Sequence, residues 1–276
     1  MSDYAPPHAF ARSLITEPLA DRILHGSVVF WFLVVVAGQL IFAAYIAALY
    51  GGATVSGDMQ GWNQLMRHGI IDGDPTGNAM IVIHVTLAFT ITLGGLAQLT
   101  PQIRNRWPTF HRYNGRVYLL TAVVISLVGL ILTWTRSGVG AGEMATSLNG
   151  VLILAVAAFT VYYAVTRQIA THQRWAVRLF LFVSGVWFLR LMVFGWIGLH
   201  QAPLWLGDNL DGPAAVVFNF AATLLPVAIY EVYLRVEDKA GPTGRLVMGL
   251  ALSALTLVMA AAIGMTTLIL WWPLMS

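Results

Sequence analysis

The sequence predicts an all-α, polytopic integral membrane protein: a bundle of seven transmembrane helices with its N-terminus inside and its C-terminus outside. Three observations predict it. Of 276 residues, 58% are hydrophobic and only 10% charged, whereas soluble domains carry charge on roughly a quarter of their residues and need it to cover their surface. Seven stretches reach the roughly 20 apolar residues that a helix needs to cross the hydrocarbon core with every backbone polar group satisfied internally. Twelve of the 15 lysines and arginines fall in alternate connections, and short loops rich in such residues stay in the cytoplasm.

Residues 1–27 carry Arg12, Glu17, Asp21 and Arg22 among three prolines and lack the apolar core and small-residue cleavage site of a signal peptide. They are expected to form a cytoplasmic N-terminal segment ahead of a single membrane domain over residues 28–276. The first span covers Val28 to Tyr50. Gly51 to Gly77 follows, a Gly-rich outer segment in which Asp58 to Arg67 reads either as a short interfacial helix capping the outer mouth or as a solvated loop with Trp62 at the headgroups. The second span, Ala79 to Thr100, ends before Pro101. Arg104, Arg106, Arg112 and Arg116 then mark an inner connection, and the third span runs from Gly115 to Trp134. Arg136 and Glu143 lie outside. The fourth span, Leu148 to Ile169, returns to Arg167, Arg174 and Arg178, and the fifth, Trp175 to Leu199, leads to Trp205, Asp208 and Asp211. The sixth, Ala214 to Val236, contains Pro226 and ends at Arg235, Lys239 and Arg245; the seventh is Leu246 to Trp272. Trp205, Trp271 and Trp272 suit an outer aromatic belt. Short connections make consecutive helices antiparallel neighbours.

The composition also excludes chemistry. There is no cysteine, hence no disulfide, thiolate zinc site, cysteine-ligated iron–sulfur cluster or covalent c-type haem. The net charge of +3 is spread as membrane-topology signal and does not point to nucleic acid. No HExxH, GxSxG, P-loop or paired-carboxylate pattern names a hydrolase or phosphotransferase.

Polar residues at membrane depth are costly and turn toward the bundle interior. At 100° per residue, His84, Ala88, Ile91, Gly95, Gln98 and Gln102 share one line on the second span, and its small residues permit close approach by a helix or a flat ligand. On the fifth span, His172 and Arg190 are 18 residues apart, five whole turns, and so share a face if one helix carries both. Arg190 is the one charge well inside a span and needs a partner: a carboxylate, carbonyl, water cavity or anion. The inner connection PQIRNRWPTFHRYNGRVY forms a cationic rim, and the His111 face continues through Gly115, Tyr118, Ala122 and Gly129. Anionic phospholipid at the cytoplasmic face is the partner that such arginines suit. Glu231 is placed to neutralise some of the inner arginines, and Pro226, on the face of Asn219, Thr223 and Tyr230, marks an expected kink.

These motifs together resemble a known family. His84 through Gly95 and Gln98, the Arg104–Arg106 pair, HRYNGRVY at 111–118, HQRWAVR at 172–178 and Arg190 are similar to the bacterial predicted membrane proteins called domain of unknown function 2306, over about residues 80–200. Two departures stand out: GLAQ where Gly-Pro is expected before the Gln, and Ala176 where Met is usual. The resemblance implies a multi-span bundle with polar motifs at the membrane faces, in the bacterial cytoplasmic membrane, and implies no established activity.

Three functional readings follow from the residues. The first is a membrane redox protein that binds haem b or interacts with a quinone: imidazoles on facing helices ligate haem iron, glycines admit a flat ring, and arginines hold propionates. On that reading the cofactor-binding residues are His84, Gly95, Gln98, His111, Arg112, Arg116, His172 and Arg190, with His111 and His172 as the inner iron ligands. His84 would ligate an outer haem with His68 or His200. No span carries the two histidines that many dihaem membrane cytochromes place on one helix. The second reading is a small-molecule or ion transporter or channel lined by His84, Arg190 and Asn219. The third is a lipid-binding accessory subunit or intramembrane enzyme.

Overall fold

A computed structural model describes residues 17–66, 69–136, 140–208 and 210–275. All regular structure among them is helical, with no strand. Prolines do much of the punctuation, because each can open a helix where its missing N–H costs nothing and cannot sit in the last turns of the helix before it. Helix α1 (Glu17–Ser56) passes through a π-helical stretch at Ala47–Gly51 and stops at Gly57, whose left-handed φ of 76° ends it. Helix α2 (Pro75–Leu99) begins on Asp74, whose carboxylate accepts the Gly77 N–H at 2.9 Å. It gives way at an extended Thr100 to α3 (Pro101–Arg106), and Pro108 ends α3 and opens α4 (Pro108–Arg136). Then come α5 (Ala141–Val165), α6 (Ile169–Val183), α7 (Gly185–His200), α8 (Pro213–Lys239) and α9 (Pro242–Met275).

Six of these helices are each long and apolar enough to cross a membrane: α1, α2, α4, α5, α8 and α9. The α6–α7 pair reaches that length only jointly and is bent by 48° at Ser184, which makes seven when the pair counts as one span. This corrects one expectation. His172 and Arg190 lie on two helices, so five turns of unbroken helix do not connect them and they have no common face by that argument. The first helix also starts well before Val28, and it runs past Tyr50 into what reads as an outer loop.

Two units make up the described chain: residues 17–37 with 228–261, and residues 38–227 with 262–275. In the first, Arg245 donates to Asp21 at 2.8 Å, and Gly249 lies so close to Leu24 that a Cβ there would stand 3.1 Å from its backbone. The second holds the larger core, where α2, α4, α5 and α6 meet through Ile91, Tyr118, Ala122, Ile153, Val156, Ala157, Leu179 and Phe182. A smaller cluster joins Val193, Leu206 and Ala215.

The outer segment is tightly bonded. Asp58 caps a 3₁₀ turn at Met59–Gln64, Trp62 is buried with its ring 5.0 Å from Tyr50, and its indole N–H donates to Thr54 at 3.2 Å. Trp62 therefore packs on the end of α1; it does not sit out among headgroups. Asn63 pairs both ways with the Ile70 backbone and Asn78 does the same with Ile71. Arg136 completes the fastening, donating to the Gly69 carbonyl at 2.5 Å, to Asp74 at 2.6 Å and to Asn78 at 2.9 Å. Its guanidinium holds the Asp74 carboxyl below the usual carboxylate range, assisted by the Gly77 N–H.

Candidate functional site

The second unit encloses a cavity of about 150 Å³ between residues of α1, α2, α4, α5, α6 and α7. Its walls are mostly apolar, with Phe42, Ile91, Ile153 and Phe180 among them, and no Asp, Glu, Lys or Arg lines it. The polar groups that do line it are uncharged side chains and one imidazole.

Each reaches the cavity for a local reason. His84 projects from α2, and Gly129 of α4 makes room for the ring: a Cβ at Gly129 would stand 3.1 Å from His84 Cε1. Nδ1 of the ring is buried without a partner. In the neutral imidazole one nitrogen donates and the other accepts, so Nδ1 can take either role. Tyr118 and Ser126 enter from α4, and both hydroxyls are buried and unpartnered. Asn149 enters from α5 against the bare backbone of Gly185, where a Cβ would come within 3.1 Å of its Nδ2; its Oδ1 also lacks a partner. Trp187, 2% exposed on α7, adds an unpartnered indole N–H. Gln39 of α1 donates to Ser184 at 2.8 Å, filling the gap at the α6–α7 break.

Five of the residues that line the cavity thus each carry a buried polar atom without a hydrogen-bond partner: one acceptor (Asn149 Oδ1), one donor (Trp187 Nε1), two hydroxyls and His84 Nδ1, which donates or accepts according to tautomer. Leaving a buried polar group unmet costs about 1–3 kcal/mol. Five such residues around one cavity make it the candidate functional site.

Five of the six stripe residues lie on α2, and Gln102 lies on α3, beyond the extended Thr100. His84, Ala88 and Ile91 line the cavity, Gly95 lets Tyr118 and Phe180 pack within 3.1 Å of its Cβ position, and Gln98 donates to the His111 carbonyl at 2.9 Å. Asn114 adds a second stitch, donating to the Gly94 carbonyl at 2.9 Å. The remaining expected site residues lie elsewhere. Neither His111 nor His172 lines the cavity. His172 Nδ1 bonds the Thr160 carbonyl at 2.9 Å, and His111 Nδ1 is buried without a partner. Arg112 and Arg116 are exposed, touching Thr109 and the Tyr113 ring. Arg190 does not line the cavity: its guanidinium lies 5.4 Å from the Phe42 ring centroid and reaches the Val186 carbonyl at 3.5 Å. His200 tilts against Trp196 with ring centroids 4.0 Å apart, bonds the Trp196 carbonyl and does not line the cavity, while His68 lies outside the described residues. Asn219 bonds the Ala215 carbonyl and does not reach the cavity.

Sequence reading missed Ser126, Asn149, Trp187 and Gln39. Three of them are polar residues in otherwise apolar runs, a signal that was present but that a search for ionisable groups passes over.

A haem ligated at His84 has little to recommend it here. No second imidazole lines the cavity, and drug-sized ligands already fill about 300–1,000 Å³, more than the 150 Å³ present. Among the described residues no group of three or more His, Cys, Asp or Glu is placed to hold a metal ion.

No curated protein and no solved structure matches the chain. A family model described as "Predicted membrane protein (DUF2306)" matches residues 81–225, a stretch that starts just before His84 and takes in every cavity-lining residue except Gln39 and Phe42. With more than half its length covered and its apolar helices in the expected order, the chain belongs to the DUF2306 family of predicted membrane proteins.

Proposed function

We propose that this is a quinone-interacting membrane protein whose cavity at His84 receives the ring of a quinone or quinol. The observation that carries the reading is that five residues lining an uncharged, apolar-walled space each hold a buried polar atom without a partner, donors and acceptors both among them. Quinone carbonyls only accept hydrogen bonds, and the Tyr118, Ser126 and Trp187 groups donate. Quinol hydroxyls also donate, and His84 Nδ1 and Asn149 Oδ1 accept. One donor–acceptor set thus serves both oxidation states of the same ring.

Size and access agree with this. A cavity of about 150 Å³ suits a single six-membered ring. Val186 both lines the cavity and is 48% exposed on an apolar helix, which offers a lipophilic tail a way out toward acyl chains. A charged solute finds no counter-charge in the lining.

The test is direct binding. Purified protein is titrated with a short-chain benzoquinone or naphthoquinone while tryptophan emission is followed, since Trp187 lines the site, and lipid extracts of the purified protein are assayed for co-purifying quinone. A saturable quench is expected, weakened about tenfold in His84→Ala and in Asn149→Leu, the loss of roughly one buried hydrogen bond each. Folded protein that neither quenches nor carries quinone, or variants that bind as well as the parent, would show that water alone serves these atoms.

A further inference from the structure

We propose that the α3–α4 corner is a binding surface for the phosphates of anionic lipids. The argument is separate from the His84 cavity. Arg104 and Arg106 occupy the last turn of α3, and Arg112 and Arg116 lie one turn apart on α4; all four are exposed. Their contacts are with neutral groups: Arg106 lies 5.8 Å from the Trp107 ring, Arg116 lies 5.6 Å from the Tyr113 ring, and Arg112 reaches Thr109 at 3.4 Å. None of the four forms an ion pair with a carboxylate among the described residues.

Acid is scarce in the stretch of chain around this corner. From Pro75 to Gly207 the sole carboxylate is Glu143, and it sits at the start of α5, beyond the far end of the 29-residue α4. A cluster of four guanidinium groups without local counter-charge calls for an external anion, and their planar forks match phosphate oxygens bidentately.

The aromatic side chains decide which phosphate. Trp107, Phe110 and Tyr113 are 57%, 51% and 62% exposed, interleaved with the arginines. The corner joins two membrane-spanning helices, α2 and α4, so it lies at the level where a bilayer presents its headgroups. Indole and phenol rings favour that layer, and each arginine near an anionic surface contributes about fivefold in affinity. A soluble phosphate would use the arginines and leave the rings in water; a lipid uses both.

The full chain in nanodiscs provides the test. Spin-labelled phosphatidylglycerol and phosphatidylcholine are compared by the fraction of each that the protein holds motionally restricted. The parent is expected to prefer phosphatidylglycerol several-fold, with added salt reducing the preference. Replacing Arg104, Arg106, Arg112 and Arg116 together by Gln should abolish it, and Arg22→Gln, an exposed arginine elsewhere, should leave it intact. If the quadruple variant does not fold, Arg112→Gln with Arg116→Gln on the exposed face of α4 should halve the effect on a logarithmic scale. Equal restriction of the two lipids by the parent, preference retained in a folded variant, or full competition by inorganic phosphate would each overturn the proposal.

Discussion

Gly129 and His84 show how little separates a ligand site from ordinary core at the level of single residues. The imidazole occupies the cavity wall because its neighbour across the helix pair has no side chain, and a methyl group at Gly129 would meet the ring at 3.1 Å. Gly129→Ala is therefore expected to displace His84, destabilise the protein by about 1–3 kcal/mol as overpacking does, and weaken quinone binding. Gly26→Ala, with nothing within 4 Å of its added Cβ, should instead be neutral or slightly stabilising in a helix. Chemical denaturation and the quinone titration together check both. His84 was legible in the sequence because an ionisable side chain among apolar residues is conspicuous, and its stripe-mates followed from helical spacing. Asn149, Ser126 and Trp187 were not, because uncharged polar side chains satisfy themselves on backbone carbonyls in so many spans that only the absence of such a partner distinguishes them. That absence is a property of three-dimensional packing.

Proline set helix boundaries that hydropathy alone misplaced: the spans expected to begin at Ala79, Gly115 and Leu246 start four to seven residues earlier, at Pro75, Pro108 and Pro242. Pro75, Pro101, Pro108, Pro213 and Pro242 open helices at their own positions, and Pro226 is carried inside α8. The break at Ser184 carried a fainter signal, a Ser-Gly pair of the kind that bends helices, and reading through it produced the mistaken common face of His172 and Arg190. The outer segment was the least legible element, since its order depends on Arg136, distant in sequence, gathering Gly69, Asp74 and Asn78. That fastening has a pH dependence. Asp74 titrates below its unfolded value because Arg136 and then the Gly77 N–H stabilise its carboxylate. Its contribution is therefore complete above about pH 4, the ordinary carboxylate range, and is lost as pH falls through the lowered folded value. Protection factors of the Ile70 and Ile71 amides, bonded by Asn63 and Asn78, should drop in that acid window. Asp74→Asn should show reduced protection already at neutral pH and little further change on acidification. An unchanged pH profile in that variant would assign the effect to other carboxylates.

For the molecule as a whole, the open question of topology turns on the α6–α7 pair. Its halves have 15 and 16 residues, about 22 and 24 Å at 1.5 Å per residue, and neither alone spans a core of roughly 30 Å. A re-entrant hairpin would have to reverse direction at Ser184. The bend is only 48°, so α7 still advances about 16 Å along the direction of α6, and the two together cover about 38 Å. That is enough to cross. Seven crossings are therefore the expected outcome; they would put the termini on opposite sides and the arginine-rich connections on the side of the N-terminus. Fusions test this without purification: a fluorescent protein that folds only in the cytoplasm should light up at the N-terminus, and alkaline phosphatase, active only outside, should work at the C-terminus. Fluorescence from both ends would mean six crossings and a pair that turns back. Moving the junction to Gln201 separates the cases again, since phosphatase activity there is expected only if α6 and α7 together pass through the bilayer.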